Sequence, residues 1–263
     1  MRFAISTPNV GPVRDLIELA RETDAAGWDG LFVWDHLHLD RQRLLDVHDP
    51  WVLLGAMAPY GQRLRLGTLV TPVARRRPWV LAKQVVTLDH LTNGRAVLGV
   101  GLGYPAHEEF GAFGDPVDDR ERAALLDESL DVITALWTGD EVHHHSERFR
   151  IDAQFHPVPV QEPRPPIWVA GMWPNKRPLE RASQWDGVCP VSSDGEPLTP
   201  DVIAKVVAFI GSRPRFDVVA WARDDIPVQE FADAGATWLV QSALPGDGYL
   251  DALRGLARQG PPI

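Results

Sequence analysis

Cysteine is nearly absent from this chain of 263 residues, which has Cys189 alone. One cysteine cannot close a disulfide within the chain, so a reducing compartment, the cytoplasm, is expected. The amino terminus enters a short apolar run within its first residues, without the charged head and long apolar segment of a signal peptide. No apolar run approaches the ~20 residues of a membrane-spanning helix. The sequence therefore predicts no membrane partner.

Positive charge is also in deficit, because the formal net charge is -10 at pH 7. Such a balance argues against a general role in binding nucleic acids or acidic membranes, although it permits a local basic pocket. Internal repeats, low-complexity tracts and linkers are absent too. The length lies near the ~250 residues of one α/β barrel. A single domain over residues 1–263 is predicted.

The chain does contain a regular alternation of short apolar runs with amphipathic stretches. The runs predict strands at 3–5, 30–34, 64–70, 96–100, 166–170, 187–189, 216–221 and 237–241. The stretches predict helices at 13–26, 50–58, 78–91, 118–137, 178–184, 202–210, 227–234 and 248–258. Eight strand-then-helix units favour an α/β fold of the (β/α)8 TIM-barrel type. Residues 139–165 break the alternation and predict an insertion after the fourth helix.

The most informative stretch is residues 95–104, an apolar run that opens into a loop rich in glycine. Loops at the carboxyl ends of parallel strands bind ligands in such folds, and glycine lets the backbone approach a ligand closely. Residues 101–106 also fit a loose dinucleotide fingerprint, G-x-G-x-x-A, although the match is weak. The loop is interpreted as a cradle for a cofactor phosphate. The alternative is a turn that needs positive φ.

Few charged residues follow the predicted strands, and no Ser-His-Asp or paired-carboxylate pattern is visible. Asp35 and His36 form the only ionisable pair at a strand end. Histidine can hold or move a proton near neutral pH, and the adjacent carboxylate could set its tautomer. Neighbours in an extended chain point in opposite directions, however, so the direct contact is left open. The alternative role is a polar residue that satisfies a strand end.

Two charged runs allow a structural and a functional interpretation. Arg75–Arg77 follow the third strand, and a solvated surface is favoured for them over a mouth for an anionic tail. His143–His145 look like a metal site, but only alternate residues of a strand share a face and no further ligand is close in sequence. They are interpreted as solvated, and no metal is predicted.

Several motifs, taken together and in order, resemble the bacterial luciferase-like, flavin-dependent oxidoreductases. They are Gly27–His36 (GWDGLFVWDH), Leu66–Pro72 (LGTLVTP), Leu88–Arg95 (LDHLTNGR), Leu98–Gly103 (LGVGLG), Leu125–Gly139, Gln161–Gly171 (QEPRPPIWVAG) and Trp185–Gly187. The resemblance covers residues 1 to about 190. Each motif is modest, but the set is specific.

The resemblance implies a (β/α)8 barrel that binds FMN or the deazaflavin coenzyme F-420 (F420) at its carboxyl face, to activate oxygen or to pass hydride. It implies a ring beside Asp35 and His36, and a backbone bulge, often a non-proline cis peptide, at about Thr68–Leu69. The cofactor-binding residues it implies are Thr68, Leu69, Val70, Leu102, Gly103, Tyr104, Ala170, Gly171 and Met172, the phosphate lying near Gly103–Tyr104 and Ala170–Met172.

Two positions depart from the family's patterns. Leu102 stands where FMN enzymes of this type often have a phosphate-binding arginine, and Tyr104 where several deazaflavin enzymes have a catalytic glutamate. The prediction is an oxidoreductase for a small organic substrate, leaning to the deazaflavin. His36, Asp35 and Tyr104 are its catalytic candidates. The alternatives are an FMN-dependent monooxygenase, a metal-dependent barrel hydrolase and a non-catalytic flavin-binding barrel. A homodimer could complete the substrate pocket.

Overall fold

Eight parallel strands close into a barrel in the computed structural model, which describes residues 1–39, 43–193, 195–211 and 213–262. In chain order the strands are β1 (Arg2–Thr7), β2 (Gly30–Val33), β3 (Arg65–Pro72), β4 (Ala96–Gly101), β5 (Glu141–His145), β6 (Arg150–Gln154), β7 (Ile167–Trp173), β8 (Gly187–Ser192), β9 (Asp217–Trp221) and β10 (Trp238–Ser242). The helices are α1 (Val13–Ala25), α2 (Pro50–Met57), α3 (Pro78–Leu91), α4 (Ala106–Glu109), α5 (Asp119–Trp137), α6 (Lys176–Ala182), α7 (Pro200–Ile210), α8 (Val228–Asp233) and α9 (Tyr249–Gln259).

The barrel closes in the order β1-β10-β9-β8-β7-β4-β3-β2. The predicted TIM barrel is therefore confirmed, and so is the insertion, which follows α5, the fourth of the helices predicted from the sequence. That insertion contains an antiparallel hairpin, β5–β6, in which Glu141 pairs with Gln154. Among the described residues no helix is both long enough and apolar enough to span a membrane.

Two strands continue further than the sequence indicates. The strand predicted at 166–170 is longer in the structure, because Gly171 and Met172 extend β7 and pair with Pro190 and Val191 of β8. A Cβ at Gly171 would lie 2.0 Å from the Cβ of Pro178, so glycine is needed here for close packing against α6 rather than for a turn.

The barrel interior is filled by side chains, which lie on alternate positions of the strands. Phe32, Trp168 and Trp238 form its centre, with ring centroids 5.4 to 5.8 Å apart. A separate and larger apolar core lies between the outer faces of the strands and the helices. Because the aromatic rings block the centre, a ligand has room only at the ends of the barrel.

A bulge interrupts the pairing of β3 with β4 between Thr68 and Thr71. The Thr68 hydroxyl lies 2.9 Å from that of Thr71 and donates to the Gly99 carbonyl at 3.0 Å. A Cβ at Gly99 would lie 2.3 Å from the carbonyl oxygen of Thr68 and 2.4 Å from that of Leu69, so only glycine admits the bulge. The bulge is confirmed. The non-proline cis peptide is not found, because the cis peptides of the described residues all precede proline.

Candidate active site

Three successive strand-to-helix connections meet at the carboxyl end of the barrel. His36 follows β2, Arg75 lies in a 3-10 turn after β3, and Glu109 ends α4, the one-turn helix after β4. The sequence separates them widely, but their side chains bond directly to one another. The carboxyl ends of barrel strands are where such folds assemble their sites.

Glu109 is the centre of this network, with a fully buried side chain. Its carboxylate accepts hydrogen bonds from the backbone N–H groups of Leu37 at 2.9 Å, His38 at 3.0 Å and Leu39 at 2.8 Å. Burial raises the pKa of this carboxyl, but the hydrogen bonds from His36 and from the backbone outweigh burial and hold the pKa well below its usual range. Glu109 is therefore an ionised anchor for the segment after β2.

Arg75 joins two buried carboxylates. Its guanidinium nitrogens lie 2.5 Å from Glu109 Oε2 and 2.7 Å from Asp35 Oδ1, and its side chain is only 3% exposed. Arg76 also binds Asp35, at 2.8 Å. The predicted solvated surface is wrong for these two arginines, because two cations here neutralise two buried carboxylates. The prediction of a solvated side chain is correct for Arg77, which is exposed.

His36 is the member of the network that reaches the surface. Its Nδ1 lies 3.2 Å from Glu109 Oε1, and its side chain is 21% exposed. The orienting carboxylate is therefore Glu109, and the expectation that Asp35 plays this part is wrong, because Asp35 is held by the arginines. With an ionised partner the proton of a neutral ring lies on Nδ1, which leaves Nε2 as the nitrogen for a ligand. The buried Asn9 side chain donates to the His36 carbonyl at 2.8 Å.

The floor of the barrel mouth is apolar. Val70, Ala170 and Trp221 are partly buried and pack against the interior cluster from the carboxyl side. At the same level the buried Ser242 hydroxyl has no hydrogen-bond partner within the described part of the chain. An apolar floor with a free hydroxyl at its edge suits a flat heterocycle that presents polar atoms along its rim. These residues therefore fit the ring of a flavin or deazaflavin.

The glycine-rich loop at the end of β4, residues 101–104, is supported by an arginine that could not be identified from the sequence. Arg122 of α5 donates to the carbonyls of Leu102 at 2.8 Å and Gly103 at 2.9 Å. Gly103 has φ of +81°, and a Cβ there would lie 2.8 Å from Pro72 and 2.9 Å from Phe110. The loop is thus the positive-φ turn that the sequence left as an alternative. Its role as a phosphate cradle stays a prediction.

Comparison with known proteins identifies the family. The sequence model of the luciferase-like monooxygenases matches residues 1–196. The chain belongs to this family.

Its curated relatives include two F420-dependent glucose-6-phosphate dehydrogenases. The protein of Amycolatopsis mediterranei is 34% identical over 176 residues, which are 65% of this chain and 51% of that protein. The protein of Nocardia farcinica is 34% identical over 212 residues, 78% of this chain and 61% of that protein. The chain thus spans between half and two thirds of their length. The coenzyme F420-dependent tetrahydromethanopterin reductase of Methanopyrus kandleri shares the fold, with a TM-score of 0.76, 15% identity and 98% coverage of both chains.

The other cofactor-binding residues that the luciferase-like resemblance implies differ from one another in burial and in what they contact. Thr68 and Leu69 are buried and support the bulge and the barrel interior. Leu102 is partly buried and packs against the outer core. Tyr104 lies on the rim with 70% of its surface exposed. The contacts of these residues with a cofactor stay predictions.

The histidine run lies on the β5–β6 hairpin. His143 and His145 share one face, and each lies 2.9 Å from Asp152, whereas His144 lies 2.9 Å from Glu128 on the other face. In the ranges that the structure describes, no group of three or more histidine, cysteine or carboxylate side chains could hold a metal ion. The hydrolase alternative therefore has no ligand set in that part of the chain.

Proposed function

We propose that this chain is an oxidoreductase that binds a deazaflavin of the F420 type and transfers a hydride between this cofactor and a small organic substrate. The proposal rests chiefly on one observation: the buried Glu109 carboxylate binds Nδ1 of the partly exposed His36 and so leaves Nε2 as the ring nitrogen available to a ligand. The names of the two curated relatives, both F420-dependent, support the choice of cofactor.

A deazaflavin supplies a two-electron centre that accepts or donates hydride but holds no proton for the substrate. The chain must therefore move that proton. In substrate oxidation His36 Nε2 accepts the hydroxyl proton, and Glu109 stabilises the imidazolium that forms. In reduction the same nitrogen donates the proton back. Asp35 acts one step further away, because it fixes Arg75 and through it Glu109.

The floor and the loop position the cofactor in this proposal. Val70 and Ala170 would support the ring, whereas the family resemblance places Ala170 near the phosphate, and the Ser242 hydroxyl would bond the rim of the ring. The phosphate arm would follow the loop of Gly103 and Tyr104, which Arg122 supports through its hydrogen bonds to the carbonyls of Leu102 and Gly103. Backbone N–H groups of such a turn can bind phosphate oxygens.

Titration of the purified chain with F420 and with FMN tests the cofactor. We expect saturable F420 binding, seen as a change in cofactor fluorescence, and at least tenfold weaker FMN binding, since Leu102 stands where FMN enzymes of this type often have a phosphate-binding arginine. Ala170→Leu should weaken F420 binding at least tenfold, because the larger side chain enters the floor. Ala252→Leu, on the exposed side of α9, is the matched control. Tight FMN binding with oxygen consumption by reduced FMN would instead support the monooxygenase alternative.

We also propose that two copies pair through the outer face of α2 and α3. Three apolar side chains are exposed there: Val52 at 71%, Val80 at 48% and Leu91 at 52%. They border a groove of about 270 Å³ in which the buried Trp51 Nε1 and Gln84 Oε1 have no partners among the described residues. Apolar surface of this kind is buried in stable homodimers.

Sedimentation analysis tests the dimer. Val80→Asp should convert a dimer to a monomer, because a carboxylate would be buried against its symmetry mate. Val158→Asp, a similarly exposed valine in the insertion, should leave the mass unchanged. A wild-type chain that sediments as a monomer at micromolar concentration would contradict the proposal.

A further inference from the structure

A second cavity lies at the amino end of the barrel, opposite the candidate active site. Its volume is about 310 Å³, and four arginines line it. Arg2 begins β1, Arg65 begins β3, Arg63 lies two residues before the start of β3, and Arg95 directly precedes β4. In a chain with a net charge of -10, this is a marked local concentration of positive charge.

Two of the arginines are fixed by their surroundings. Arg95 donates to the carbonyls of Leu64 at 3.1 Å and Gly61 at 3.2 Å. These bonds orient the guanidinium without cancelling its charge, because the acceptors are neutral. Arg63 lies 3.8 Å from Asp24, a carboxylate at its outer side.

The other two arginines, Arg2 and Arg65, lie at the amino end of the barrel interior. Arg2 is 5.3 Å from the centroid of the Trp238 ring and 3.9 Å from Asp217. The only hydrogen bond found for the Arg65 side chain in the described residues joins it to Gln161 at 3.4 Å. Burial, and next the positive charge of Arg2, lowers the pKa of Arg65. The arrangement therefore holds like charges close together in partly desolvated surroundings.

Four carboxylates lie near the four arginines, but those that form ion pairs do so with Arg63 and Arg2. Asp29 lines the cavity, but one of its oxygens accepts the Phe3 N–H at 2.8 Å. Asp24 and Asp217 lie beside Arg63 and Arg2. The negative charge of the buried Asp89 also acts on Arg65 and favours its protonated form. The Asp89 oxygens, however, accept hydrogen bonds from the backbone N–H groups of residues 160 and 161 and from the Gln161 side-chain amide. None of these groups gives Arg65 or Arg95 a carboxylate contact.

We propose that this cavity binds a small multivalent oxyanion, of the phosphate-ester or polycarboxylate class. The planar guanidinium fork matches the oxygens of both groups in pairs, and several forks around one cavity favour a ligand with more than one charge. The volume is at the lower end of the range for small-molecule sites. The site is separate from the hydride-transfer site and does not depend on the proposed function.

The competing explanation is purely structural. The amino face of such barrels usually serves stability, and these arginines could simply tie the starts of the strands together. The two explanations differ in one respect. A purely structural cluster would show only the general effect of salt when a multivalent anion is added. A binding site would bind the anion saturably.

Isothermal titration calorimetry separates them. The ligands are pyrophosphate and citrate, with acetate at matched ionic strength as the monovalent control. We expect saturable binding of at least one multivalent anion and none of acetate, and comparison of the two ligands identifies the phosphate or the carboxylate class. Arg65→Gln and Arg2→Gln should each weaken binding about tenfold, because each removes a charged donor. Arg14→Gln removes an exposed arginine on α1 and should change nothing.

Two results would overturn the proposal. One is the absence of saturable binding of either anion to a wild-type chain that circular dichroism shows to be folded. The other is binding that both Arg65→Gln and Arg2→Gln leave unchanged. Arg65→Lys controls for misfolding, because it retains the positive charge but loses the paired N–H donors of the guanidinium. Its affinity for the anion should lie between those of wild type and Arg65→Gln.

Discussion

Glu109→Gln is expected to lower the free energy of unfolding by about 3 kcal/mol at pH 7, because it removes one partner of a buried ion pair. Arg75 would keep only Asp35 as a charged partner, and its side chain is 3% exposed. The amide could also turn its NH2 group toward the N–H groups of Leu37 and Leu39, which now donate to the carboxylate. Urea unfolding followed by circular dichroism measures the loss.

Glu108→Gln is the matched control for this substitution. It changes the preceding residue of the same helix, and the Glu108 side chain is neither fully buried nor part of the network. Its free energy of unfolding should stay within about 0.5 kcal/mol of wild type. Equal losses in the two variants would show that the network around Glu109 contributes nothing specific.

The contribution of Glu109 should also depend on pH, in a direction that its pKa fixes. The native state holds this pKa below the ordinary value of 4.5. The stabilisation is therefore complete above that value and is lost as pH falls through the native pKa. Unfolding curves of wild type and Glu109→Gln should differ most near pH 7 and approach one another below pH 4.5. A constant difference across this range would contradict the assignment of an ionised carboxylate.

The barrel could be predicted from the sequence because its signals are local. Short apolar runs, proline at helix starts and glycine at helix ends each act over a few residues. Local signals also explain where the prediction failed. The strand predicted at 166–170 stops before Gly171, since glycine often marks a turn, but a close contact with Pro178 requires glycine inside β7. The sequence alone does not show this contact, because it depends on how α6 packs against β7.

The charged network could be predicted only in part for the same reason. His36 was found because it follows a strand, whereas Glu109 lies 73 residues away on a one-turn helix with no distinctive pattern. Arg75 and Arg76 looked like a solvated run because charge runs usually are. A useful signal was nevertheless present: Asp35 needed a cationic partner if it was to be buried, and these arginines follow the next strand of the barrel. Such a pairing argument could have identified Arg75, although not Glu109.

His36→Gln is expected to reduce turnover by about 10²- to 10⁴-fold, the usual range for losing a positioned general acid or base. Glutamine can still donate to Glu109 but cannot exchange a proton with the substrate near neutral pH. F420 binding should stay within about twofold of wild type, since the floor and the loop are untouched. Anaerobic F420 absorbance gives the rate once a substrate is found by screening alcohols and sugar phosphates. Tritium or deuterium transfer to F420 confirms the hydride step.

The pH profile separates a proton-transfer role from a merely structural one. The wild-type rate of substrate oxidation should rise with pH, because only the unprotonated imidazole can accept a proton, and this dependence should disappear in His36→Gln. His38→Gln is the matched control, because its side chain lies in the same segment but makes no contact with Glu109 or His36 beyond the backbone. If His36→Gln retained both the rate and its pH dependence, proton transfer would have to come from another group. Tyr104, exposed on the rim of the same mouth, would then be the next residue to replace.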